Sequence, residues 1–185
     1  LQQLAERHDV GTVFAQKEVT SEEVAVEQAV ESALHADLQY IWGHTLFHRD
    51  DISYEPDGIP KVFTNFRKQC EKKADIRACY PTPQSLPPNP ENDPGVVPSG
   101  SDLGVEIPTG DNRAVLPFEG GERAALDRLQ TYFWDQDKLK KYKFTRNGLL
   151  GADYSSKFSP WLANGSLSPR YIYWQVKDYE SQRKD

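Results

Sequence analysis

Eight of the chain's thirteen prolines fall between residues 80 and 111, at Pro81, Pro83, Pro87, Pro88, Pro90, Pro94, Pro98 and Pro108. Proline fixes φ at about −65° and has no amide to donate, so this stretch favours extended polyproline geometry and builds no core. It reads as a linker. An ordered linker of this length is expected to pack on its own domains or on a partner. The composition agrees, since 37% hydrophobic residues and a mean hydropathy of −0.72 describe a polar chain with a long coreless segment.

Ahead of the linker, "GTVFAQ" (11–16) is a β-branched and aromatic run of strand type. "TSEEVAVEQAVESALH" then opens with a capping box, Thr20 and Glu23, and places Val26, Ala29, Val30, Ala33 and Leu34 at helical spacing as one buried stripe. "LQYIW" (38–42) resumes strand character. Strand, helix, strand makes a βαβ unit, which needs neighbouring strands to bury both faces of its sheet. A short helix is expected at about 60–72, with Ile59, Phe63, Phe66 and Cys70 near one face.

Beyond the linker, "FEGGERAALDRLQTYFW" (118–134) places two glycines before a helix whose Leu126, Leu129 and Phe133 share a face. A basic turn, "KLKKYKFTRNG", leads into "DYSSKFSPWLANGSLSPR" (153–170). There Ser159 is expected to cap a helix beginning at Pro160, and Asn164-Gly165 to end it in the left-handed backbone that such caps need. Ser168 and Pro169 start the last helix, with Ile172, Val176 and Tyr179 on one face. The predicted fold class is mixed α/β, then all-α.

The stretch around Ser159 carries the most chemistry. Free amides at a helix start attract anions, Lys157 adds a cation, Ser155 and Ser156 add hydroxyls, and Tyr142 lies upstream, so the stretch reads either as an ordinary helix cap or as a seat for phosphate. Other groupings have plainer explanations. Glu22 and Glu23 suit a helix start, and His44 and His48 lack any zinc spacing and read as hydrogen-bonding histidines at a strand end. No catalytic group and no metal site emerge.

Charge is uneven. From Lys138 onward ten Lys/Arg face four Asp/Glu, a balance of +6 in a chain whose total is −6. A basic tail on an acidic body can meet an anion or an acidic partner, or form a solvated helix face, which is the plainer reading, while the overall balance argues against autonomous DNA binding. Two cysteines, Cys70 and Cys79, suit a reducing compartment better than secretion. No apolar run approaches the length of a spanning helix, and no basic-then-apolar leader opens the sequence. Residue 1 is leucine in a chain without methionine, so the sequence is expected to begin downstream of a native start.

Taken in order, "GTVFAQKEVTSEEVAVEQAV", "IWGHTLFHRDD", "FEGGERAALDRLQTYFW" and "KKYKFTRNGLLGADYSSKFSPWLANGSLSPR" resemble the photolyase/cryptochrome family, DASH branch. The resemblance covers nearly the whole chain outside the Pro-rich insert. It implies that residues 1–48 end an α/β antenna domain, 49–117 form a wrapping linker, and 118–185 are the first helices of an FAD-binding domain. It further implies that Tyr142, Ser155, Ser156, Lys157, Phe158 and Ser159 belong to a diphosphate-contacting motif. FAD is the cofactor so implied, and no antenna pterin is expected. Asn164, Ser166, Phe144 and His44 depart from the family pattern, a set that fits a relaxed demand for flavin.

Three functions stay open. The preferred reading is a non-catalytic binding or scaffold subunit with other protein subunits as partners. The alternatives are part of a blue-light, FAD-dependent enzyme repairing cyclobutane pyrimidine dimers, or a weak flavin- or nucleotide-binding regulatory module. DNA becomes a partner only with the rest of the family's C-terminal domain. The expected location is intracellular, with chloroplast or mitochondrion suspected.

Overall fold

A computed structural model of the chain describes residues 1–88, 95–106, 110–111 and 113–183. They divide into two compact units, Leu1–Tyr80 and Pro81–Asp185. Pro90, Pro94 and Pro108 lie outside the described residues. The described residues of the Pro-rich stretch are almost all exposed, Val96 and Val97 to 93% and 91%, so the expected packing on the chain's own domains is not found there. Among the described residues no helix is long and apolar enough to cross a membrane.

The first unit holds the expected parallel pair. Strands β1 (Thr12–Gln16) and β2 (Asp37–Ile41) run in register from Thr12 opposite Asp37 to Gln16 opposite Ile41. Helix α1 (Gln2–Arg7) precedes them, and helix α2 (Ser21–Ala33) makes the crossover. Val13, Ala15, Leu38 and Tyr40 are half-buried, while Phe14, facing the other way, is 64% exposed. Helix α3 (Phe63–Lys73) follows and buries Cys70. Arg77 then reaches back to Asp51 with a two-pronged bond, Nε and Nη2 donating at 2.6 and 2.8 Å.

Two expectations about α2 need correction. Thr20 does occupy the N-cap, but its side chain makes no capping bond. The stripe Val26, Ala29, Val30, Ala33 and Leu34 is not buried: Val26 is 64% exposed, and no residue of α2 is fully buried. The half-buried positions are Val24, Glu27, Val30 and the C-cap Leu34, so a carboxylate sits on the inward face. Burying a charge there requires a partner. Lys17 Nζ donates to Glu27 Oε2, and the Glu18 amide donates to Oε1 at 2.7 Å. The apolar positions left over, with Leu1, line an open groove of 380 Å³.

The second unit is helical. Helix α4 (Glu122–Gln130) starts after Gly121, whose φ of 92° is a backbone state that glycine adopts without strain. It runs on into one π-helical turn, Thr131–Asp135, closed by the Gln136 amide on the Thr131 carbonyl at 3.0 Å. Short helices α5 (Tyr142–Thr145) and α6 (Ser159–Ala163) lead to α7 (Pro169–Gln182). Ser168 caps α7 as expected, accepting the Tyr171 amide at 3.4 Å.

The core of this unit is aromatic: Ala125, Leu129, Tyr132, Phe133, Phe158, Trp161, Leu167 and Tyr179 are buried together. Ile172 and Val176 pack against it, as the sequence pattern predicts, whereas Leu126 is only partly buried and Ala125 and Arg128 take the inward face of α4. Tyr132 and Phe133, both within the π turn, point inward together. Their rings meet Phe158 at centroid distances of 6.4 and 5.9 Å, and Phe133 meets Tyr179 at 6.3 Å.

Truncating Phe133 to alanine therefore leaves a cavity under three rings. Phe133→Ala is expected to cost about 3–5 kcal/mol, read as a lowered denaturant midpoint. In the first unit, the Lys17 hydrogen bond, then the Glu18 amide, hold the Glu27 carboxyl below its usual range. A depressed carboxyl contributes stability above its unfolded pKa and loses it as pH falls through the folded value. Melting temperature should fall on acidification through the carboxylate range, and less steeply in Glu27→Gln.

Candidate functional site

The site is built on α4. Arg128 projects from its inward face with a side chain only 8% exposed. A buried guanidinium needs acceptors for its donors, and the chain supplies them from the loop 152–156. Nε donates to the Ser156 carbonyl at 3.0 Å and Nη1 to Asp153 Oδ1 at 2.9 Å. Nη2 donates to the carbonyls of Ala152 and Ser155 at 3.1 and 3.3 Å. Its face lies 5.2 Å from the centre of the Tyr132 ring.

Past this anchor the backbone turns sharply. Lys157 takes a left-handed conformation, φ 62°, and its ammonium lies 3.2 Å from the centre of the Tyr154 ring. The turn delivers Phe158 into the aromatic core, where it is 5% exposed. This corrects the expected cap. Phe158 occupies the N-cap of α6, with Ser159 as the first helical residue, Pro160 next, and no side-chain capping bond. The packing of the Phe158 ring, rather than a serine hydroxyl, fixes where the helix begins. Its length of five residues also leaves little macrodipole to attract an anion.

The six candidate residues therefore differ in kind. Ser155, Ser156 and Lys157 are half-buried on the anchored loop, Ser159 is exposed beside it, and Phe158 faces inward. Among the described residues the hydroxyls of Ser155 and Ser156 have no hydrogen-bond partner. Tyr142 starts α5 at 37% exposure. Gly148 joins that segment to the loop: a Cβ there would lie 3.0 Å from Tyr154 Cβ and 3.2 Å from the Thr145 carbonyl, so a side chain would press its neighbours back by a few tenths of an ångström. The Tyr132 hydroxyl is buried, and burial holds its phenol above the ordinary range, Arg128 partly offsetting this.

The remaining motifs have local roles. Trp161 is a core ring whose Nε1 donates to the Glu119 carbonyl at 2.8 Å, whereas Trp174 is 40% exposed. Gly165 has φ 76°, and Asn164 Oδ1 accepts the Ser166 amide at 3.0 Å, so α6 ends as the sequence indicates. His48 Nδ1 accepts the Asp50 amide at 3.3 Å, and His44 packs on Trp42 with ring centres 4.8 Å apart.

The family model for DNA photolyase matches residues 1–91. A Cryptochrome DASH of Gloeobacter violaceus is 51% identical over 178 residues, covering 95% of this chain and 36% of its own length. The structure of the Synechocystis sp. PCC6803 cryptochrome aligns over 100% of this chain, with a TM-score of 0.92 and 44% identity. The chain belongs to the photolyase/cryptochrome family, in its DASH branch.

Other DASH relatives agree. The chloroplastic/mitochondrial Cryptochrome DASH of Solanum lycopersicum is 45% identical over 203 residues, covering 97% of this chain. This DASH-type chain spans 34% to 36% of the length of those two curated relatives and 39% of the Synechocystis protein. A class III photolyase from Agrobacterium tumefaciens shares the fold alone, with a TM-score of 0.65 at 21% identity.

Sequence reasoning missed Arg128 and Gly148. The available signal for Arg128 was its spacing from Ala125 and Tyr132 on the face that the core claims. Gly148→Ala in this DASH-type chain is expected to cost about 1–3 kcal/mol by overpacking against Tyr154, measured as a fall in melting temperature.

Proposed function

We propose that this chain contributes the diphosphate-holding edge of an FAD site in a DASH-type blue-light flavoprotein. The observation that carries this reading is the anchored loop 152–158. It gathers the Ser155 and Ser156 hydroxyls, the Lys157 ammonium and backbone amides on a half-exposed surface. Such donors fit a doubly charged diphosphate. Phe158 serves from the inside by fixing the loop to the core. Bound flavin would supply light absorption and electron transfer, and the chain's own part is to bind and orient it.

The same reading divides the chain into the end of an α/β antenna domain (1–48), a linker (49–117) and the first helices of the flavin domain (118–185). Repair of cyclobutane dimers in DNA would belong to the whole protein, including the length over which its relatives extend beyond this chain. An organellar location is proposed on the name of the tomato relative.

A second reading, a scaffold subunit in a larger protein assembly, is favoured by the apolar groove along α2 and by Leu149 and Leu150, 87% and 91% exposed. Such surfaces invite cover by another polypeptide.

The two readings separate in one experiment. Under the flavin reading, natively purified protein carries flavin absorption bands, and added FAD binds more tightly than riboflavin, which lacks the diphosphate. The double variant Ser156→Ala, Lys157→Ala should weaken FAD by about tenfold or more, since charge-assisted bonds are lost. A protein without flavin bands that leaves FAD fluorescence unchanged and copurifies with a defined subunit would favour the scaffold.

A further inference from the structure

We infer that Arg128 is the positioning residue of this seat: from inside the unit it draws three loop carbonyls inward and thereby aims loop amides at the anion. This rests on the diphosphate reading above and adds to it a buried residue that touches no ligand. Every described peptide bond is trans, so a carbonyl and the following amide point to opposite sides of the backbone. Arg128 holds the Ser155 and Ser156 carbonyls at 3.3 and 3.0 Å. The amides of Ser156 and Lys157 must then point away from the guanidinium. Among the described residues neither amide finds an acceptor within the chain, which leaves both donors available to a ligand.

Two features make the arrangement specific. The left-handed Lys157 follows directly on these amides, a backbone change that in anion-binding loops lets successive N–H groups converge. Arg128 is itself held rigidly: Asp153 engages Nη1, the Tyr132 ring lies under the guanidinium, and the Ala152 carbonyl takes a further bond from Nη2. A planar five-donor fork can serve three carbonyls and a carboxylate together, whereas an ammonium offers three donors and no plane. The guanidinium therefore sets the direction of the amides before any ligand arrives, and preorganised donors bind without the cost of ordering them.

The test is an amide-resolved NMR titration of the full chain with inorganic pyrophosphate, in wild type and in Arg128→Lys. The expected result is that the Ser156 and Lys157 amides shift on titration and become protected from exchange. Arg128→Lys, folded by its dispersed spectrum, should then bind at least about tenfold more weakly, as charge-assisted bonds to misdirected amides are lost. If Arg128→Lys folds and binds pyrophosphate as well as wild type, the positioning role is wrong and the diphosphate reading survives. If wild type responds at neither amide, the diphosphate reading falls and takes this role with it. Should Arg128→Lys fail to fold, the wild-type pattern decides: response at Ser156 and Lys157 supports the inference, and response confined to other amides overturns it.

Discussion

The second unit depends on a buried positive charge that has found its acceptors. Arg128 stands on the face of α4 where a leucine would be the simpler choice, and isolated burial there would cost several kcal/mol. The cost is offset because a loop some 25 residues further on offers the Asp153 carboxylate and three carbonyls to the fork. Carbonyls in an irregular loop need donors as much as the guanidinium needs acceptors. Each side satisfies the other, and the loop acquires one shape. The left-handed turn at Lys157, the inward swing of Phe158 and the register of α6 all follow from that shape.

The first unit solves a similar problem with the opposite sign. Glu27 lies on the inward side of α2 and is met by Lys17 and the Glu18 amide, both from the turn after β1. Lys17 also lies over the Tyr40 ring of β2, at 4.4 Å. A single lysine thus ties the exit of one strand to the crossover helix and to the neighbouring strand. In both units a charge on the packed face links segments distant in sequence, where a purely apolar face would allow sliding.

These two charges also mark the limit of what the sequence reveals. Both strands, the crossover helix, the cap at Ser168 and the end of α6 at Asn164-Gly165 were legible because each follows from neighbouring residues. Apolar periodicity failed at Glu27 and Arg128, since it assigns charged residues to the outside and their partners lie too far along the chain to form a pattern. The stripe of α2 was displaced for that reason, and Leu126 was preferred to Arg128 on α4. The chemistry of the 155–159 stretch was readable from residue type alone. Its source was not: a serine cap on a longer helix was expected, while the structure relies on a buried arginine and a phenylalanine at the N-cap.

Phe158 and Lys157 share one peptide unit, yet one side chain belongs to the aromatic core and the other to the half-exposed loop. No flexible spacer separates the two environments. Substitutions that loosen the rings around Phe158 should therefore disturb the loop, and selection on the loop should constrain which core residues are tolerated. Evolution of this segment would then proceed by linked replacements, with drift in the interior limited by whatever the loop is kept for.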